Sequence, residues 1–124
     1  MNSYIKYSIA EEKQNILNYL RKRKTKLNED GIIELGLFGS FAKDEADLAS
    51  DVDICIKSTD IFCKKYLGFE AVIYLDELRE EFVRKFKRQV DICDVASFNE
   101  EKKQSLLKGV IYVWEFKKTK RYKK

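Results

Sequence analysis

The sequence contains no histidine and no proline, and its five glycines are scattered along the chain. Each absence excludes something. Without histidine there is no Ser-His-Asp or Cys-His nucleophile, no phosphohistidine chemistry, and a zinc site would lack its usual ligands. The three cysteines, Cys55, Cys63 and Cys93, form no C-x-x-C pair and are read as reduced core thiols. With no proline and no glycine-rich tract, no linker, low-complexity segment or internal repeat divides the chain. No apolar run approaches the ~18 residues needed to span a bilayer, and the opening MNSYIKYSIAEEK lacks the apolar region of a signal peptide. The expectation is a cytoplasmic protein with no membrane partner. Any chemistry falls to carboxylates, lysines and metals.

What is present fits one compact unit. The chain has 124 residues, of which 44% are hydrophobic, enough for a single core with little surplus stability. Net charge is +4, but the closing KKTKRYKK carries six of the 25 basic side chains. The remaining 19 meet 21 acidic ones, a net of −2. The reading is therefore a nearly neutral domain over residues 1–116 and a basic tail over 117–124. A charged terminus of this kind is ordinarily solvated, so nucleic acid is not an expected partner.

Periodicity gives the order helix, strand, short helix, strand, long helix, strand, helix. Ser8 and Glu11 fit a capping box ahead of Ile9, Ile16, Leu17, Leu20 and Leu27, which predicts a first helix from about Ile9 to Lys26. Its Arg21–Lys24 run reads as a solvated helix end. A turn over Asn28–Gly31 leads into an apolar strand, Ile32 to Phe38, ended by Gly39-Ser40. After a loop over Asp47–Ser50, residues Asp51 to Lys57 alternate as a second strand. Phe69 to Phe86 has helical spacing, with Phe69, Val72 and Ile73 in its apolar set. Val90 to Val95 predicts a third strand, and Asn99 to Lys108 a helix stopped by Gly109. Val110 to Trp114 is an apolar segment of open type. Phe62, Tyr66, Phe69 and Tyr74 read as core rather than as a platform for a base.

The informative pattern is Leu-Phe-Gly-Ser, ten residues, then Asp-Val-Asp-Ile, with a further Val-Asp-Ile on a later strand. Four fixed positions match by chance on the order of 10⁻⁵ per register, or roughly 10⁻³ over a chain of this length. Asp51 and Asp53, two apart on a strand, point to the same face. Two such carboxylates repel each other unless a divalent cation sits between them, most simply Mg²⁺. If the strand bearing Asp91 lies beside theirs, three carboxylates can hold two metal ions ~3.5–4 Å apart, as in phosphoryl and nucleotidyl transfer. Gly39 lets backbone approach a phosphate, Ser40 can offer its N–H and hydroxyl, and Lys43 can neutralise triphosphate charge. Asp94, three residues after Asp91, faces away and reads as structural.

With these residues, the chain resembles the minimal nucleotidyltransferases of the DNA polymerase β-like superfamily, particularly the MntA-type antitoxins paired with HEPN toxins. Gly39-Ser40, ten residues and Asp51-Val52-Asp53 reproduce the family pattern, and Asp91 in RQVDICDV matches its third metal-binding carboxylate. The likeness runs from about residue 32 to 114. Where members often have Arg-Gly after the Gly-Ser stretch, this chain has Lys43-Asp44. The resemblance implies an α/β (α+β) fold, a polymerase β-like core with a small mixed sheet flanked by helices and the metals at one sheet edge. It also implies two Mg²⁺ ions, ATP as substrate, and a hetero-oligomer with a cognate HEPN-type toxin, a ribonuclease neutralised by transfer of AMP to a tyrosine. Two other readings stand beside it, a transferase acting on a small-molecule hydroxyl and an antitoxin acting by binding alone.

Overall fold

The structure is a computed structural model that describes residues 3–114, with side chains from Ser8 onward. The proposed boundary at residue 116 and the basic tail lie outside the described residues. Helix α1 spans Ser3–Glu29, so the expected start at a Ser8 capping box is corrected: Ser8 lies inside the helix. No glycine or proline interrupts this stretch, and nothing local stops the helix from extending N-terminally. Ile16, Leu17, Leu20 and Leu27 form its buried stripe. The Arg21–Lys24 run is not simply solvated, which is a second correction. Lys24 is buried and its Nζ donates to the Ile33 carbonyl at 2.9 Å, while the Arg23 guanidinium pairs with Glu81 at 2.6 Å.

Strand β1 (Ile32–Phe38) passes into the single-turn helix α2 (Gly39–Ala42), and β2 (Val52–Ser58) returns antiparallel to β1. Two helices follow, the unpredicted short α3 (Asp60–Lys65) and the long α4 (Phe69–Phe86). They carry the chain back to β3 (Val90–Asp94), which pairs parallel with β2, as a parallel neighbour requires a long crossover. Helix α5 (Glu100–Leu106) starts on Asn99, whose side chain accepts the Lys102 N–H. The open apolar segment contains strand β4 (Ile111–Tyr112), antiparallel to β1. The result is a four-stranded mixed sheet in the order β3-β2-β1-β4 with β3 at an edge.

Alternation along the strands sorts side chains between two faces. Leu35, Leu37, Val52, Ile54, Ile56 and Val90 pack in one cluster with the buried stripes of α1 and α4. Phe38, Cys55, Val95 and Leu107 form a smaller cluster with Phe98 and Tyr112 on the α5 side. Phe62 is buried and meets Tyr66 and Tyr74 ring to ring, as expected. Phe69 is not core: it is 84% exposed, and Val72 and Ile73 are exposed with it. In the first turns of α4 it is Ala71, Tyr74 and Leu75 that pack against the core, so Phe69, Val72 and Ile73 lie on the solvent side of the helix. Of the cysteines, Cys55 is buried, Cys93 partly so and Cys63 exposed, which corrects the reading of all three as core. No helix among the described residues is long and apolar enough to cross a membrane.

Candidate active site

The end of the sheet where β1 finishes and β2 and β3 begin gathers the residues singled out by sequence. Phe38 ends β1 in extended conformation, and Gly39 turns the chain with φ +73, a value that L side chains avoid. A Cβ built on Gly39 would lie 2.2 Å from Asp53 Oδ2. The Asp53 carboxylate therefore lies directly over the Gly39 backbone, and glycine is required there for conformation and for space. Ser40 follows in α2, its carbonyl accepting the Glu45 N–H at 2.8 Å.

Asp51 immediately precedes β2, and Asp53 is its second residue. The parallel register sets Asp53 opposite Asp91 on β3, so the neighbouring strands expected from sequence are present. Asp53 is half-buried, whereas Asp51 and Asp91 are exposed. Partial burial pushes the Asp53 carboxyl above its usual range, and the charges of Asp91 and then Asp51 push it further. Opposed like charges of this kind call for a cation between them.

The donor set fits a hard divalent metal in chemistry and in strand register. It is not a closed cage: among the described residues no three Asp, Glu, Cys or His side chains stand close enough to hold an ion.

Lys43, the residue after α2, is exposed. Its stem runs beside Gly109, where a Cβ would be 3.4 Å from Lys43 Cγ. Asp44 takes φ +61, the left-handed region that glycine favours and aspartate tolerates better than most residues. Lys13 of α1 pairs with Asp44 at 2.9 Å. Asp94 accepts the Ser58 hydroxyl at 2.6 Å and the Ala96 N–H at 3.0 Å, the structural role expected of it. A cavity of about 430 Å³ lies between α1 and the loop after α2, lined in part by Ile9, Lys13, Phe41 and Asp47 and by none of the three aspartates. Asp51 and Asp91 instead stand on open surface, with Asp53 half-buried between them.

Sequence reasoning missed Arg88. Its side chain is only 10% exposed and forms a bidentate pair with Glu12 of α1. The same guanidinium donates to the carbonyls of Asp47 and Ser50 and lies over the Phe41 ring, 4.9 Å from its centroid. No spacing rule links position 88 to positions 12, 41 or 47, and nothing local in the sequence marks it.

The four-stranded mixed sheet with flanking helices agrees with the polymerase β-like fold expected from sequence. No curated protein and no solved structure matches the chain. A family profile described as a nucleotidyltransferase domain matches residues 14–121, most of the sequence. Proteins of that family typically use a divalent metal and a nucleoside triphosphate. The chain belongs to the nucleotidyltransferase domain family.

Proposed function

We propose that this protein is a Mg²⁺-dependent antitoxin that transfers AMP from ATP to a tyrosine hydroxyl of a HEPN ribonuclease. The observation that carries the enzymatic part is the placement of Asp53, opposite Asp91 across β2 and β3 and directly over the Gly39 backbone. Carboxylates suited to a divalent metal and a glycine turn suited to a phosphate thus lie side by side, which supports this reading.

Asp51, Asp53 and Asp91 would hold the metal, which when bound supplies Lewis-acid charge at the α-phosphate and lowers the pKa of the acceptor hydroxyl. Gly39 and Ser40 take the phosphates through backbone N–H and hydroxyl groups, and Lys43 neutralises their charge. The acceptor oxygen bonds to the α-phosphorus as the bond to the pyrophosphate oxygen breaks, and the acceptor proton is lost. A protein acceptor is favoured because Asp51 and Asp91 lie on exposed surface, where a side chain presented by a partner can reach them. The resemblance to MntA-type antitoxins supplies the partner's class.

The test mixes the protein with the product of the adjacent gene, Mg²⁺ and ATP, and weighs that product by intact mass spectrometry. Addition of one or more AMP units is expected, and Asp53→Ala should abolish it. An unchanged mass, with toxicity suppressed equally by wild type and Asp53→Ala, would leave neutralisation by binding alone.

A further inference from the structure

We infer that Arg88 is a positioning residue for the carboxylate site, holding the Asp47–Ser50 turn so that Asp51 leaves it in register with Asp53. The inference rests on the metal-site reading above and names a residue outside it. The chain from α2 to β2 is an irregular loop of nine residues, 43–51, and Asp51 is its last member. Local bonds close its final turn: Ser50 N–H donates to the Asp47 carbonyl at 3.2 Å, and Ala49 N–H to Asp47 Oδ1 at 2.9 Å. Those groups are exposed and compete with water, so they fix the shape of the turn better than its place on the domain.

Arg88 supplies the place. One guanidinium nitrogen donates to both ends of the turn, the carbonyls of Asp47 (3.0 Å) and Ser50. The other two hold Glu12 of α1, one of them at 3.1 Å. The plane rests on Phe41, whose own backbone belongs to the Gly39–Ala42 turn. Next along the chain, the Gln89 carbonyl accepts the Val52 N–H at 2.9 Å, the first bond of the β2–β3 ladder. Four segments that must agree for the site to form therefore converge on residues 88 and 89. A planar fork with five donors can satisfy this geometry, and a lysine ammonium cannot.

A purely structural clamp and a positioning clamp predict different results. Hydrogen exchange on the metal-free protein reads the turn directly. In Arg88→Lys and Arg88→Gln, the amides of residues 49–52 should exchange at least tenfold faster, while those of Leu20, Ile54 and Phe82 in the core should be unchanged. Mn²⁺ titration followed by electron paramagnetic resonance reads the consequence, with affinity expected to fall about tenfold in both variants. Glu12→Gln, which leaves the carbonyl bonds in place, should cost no more than threefold. Uniform acceleration across the core, or unchanged exchange at 49–52, overturns the inference. So does local acceleration in variants that still bind Mn²⁺ as wild type does. If wild type binds no Mn²⁺ at all, the metal-site reading falls and, since this inference rests on it, the inference falls with it; the exchange data alone would then show only that Arg88 orders the turn.

Discussion

Replacing Gly39 by alanine should damage stability and metal binding by separable amounts. At φ +73 an L residue costs about 1–2 kcal/mol in backbone strain. The new methyl would also sit 2.2 Å from Asp53 Oδ2, a distance that no side chain tolerates, so the carboxylate must leave its rotamer at a further cost of about 0.5–1.5 kcal/mol. The total, about 1.5–3.5 kcal/mol, lowers the melting temperature of a domain this size by roughly 5–18 °C. Scanning calorimetry in chelator measures it. The control is the same substitution in an Asp53→Ala background. There Asp53 Cβ, at 3.2 Å, remains as a milder contact, so the penalty should shrink towards the backbone part. Mn²⁺ affinity in Gly39→Ala alone should drop tenfold or more. Equal penalties in the two backgrounds, or wild-type Mn²⁺ binding by Gly39→Ala, would refute the placement of Asp53 over Gly39.

Other positions in the fold give four more outcomes. Asp44 holds φ +61, so melting temperatures should rank Asp44→Gly at or above wild type and Asp44→Ala about 1 kcal/mol below the glycine variant; the exposed pair with Lys13 adds little, and an Ala variant as stable as Gly would contradict the turn. Because partial burial and the neighbouring Asp91 and Asp51 raise the Asp53 carboxyl, its ionised form costs stability at neutral pH. Asp53→Asn should therefore melt higher than wild type in chelator at pH 7, with the gain vanishing as pH falls through the carboxylate range. Asp30 is 1% exposed, and although burial pushes its carboxyl up, hydrogen bonds from Lys65 and Tyr74 outweigh this and hold it below the usual range. Its stabilisation is thus present above about pH 4 and is lost as pH falls through the lowered value. Melts from neutral to acid pH should show a steep acid limb in wild type and a shallower one in Asp30→Asn. Tyr74→Phe, which removes a 2.8 Å donor to Asp30, should cost about 1–3 kcal/mol at neutral pH.

The elements most legible in the sequence were those whose pattern is enforced by burial on one face. Strands β1, β2 and β3 were found within a residue or two, because Leu35, Leu37, Ile54 and Val90 must all face the same helices. The juxtaposition of Asp53 and Asp91 was legible for a related reason, since both lie near the starts of paired strands and carry charge that a core would not accept. Misreadings came where local signals met no tertiary enforcement. Ser8 has the residue type of a cap but sits on a helix with nothing to end it. Phe69, Val72 and Ile73 have helical spacing but stay exposed, because the core takes Ala71, Tyr74 and Leu75 from the same turns. Lys24 and Arg88 were illegible for the opposite reason: each is a long cation that bonds to a distant element, Lys24 to the Ile33 carbonyl and Arg88 to the Asp47–Ser50 turn, so its burial is decided by packing.

The position of β3 at the sheet edge bears on how the protein would lose its activity. Asp91 is held by a five-residue strand that, among the described residues, has a ladder on one side only, while Asp53 sits on a central strand bonded on both sides. Edge elements open at lower free energy than the core they border. Partial opening that frees β3 would separate Asp91 from Asp53 while the packed body of α1, β1 and β2 stayed intact. Inactivation by heat or denaturant should then precede the cooperative unfolding transition, and a protein that still looks folded by circular dichroism would already have lost one of its three carboxylates.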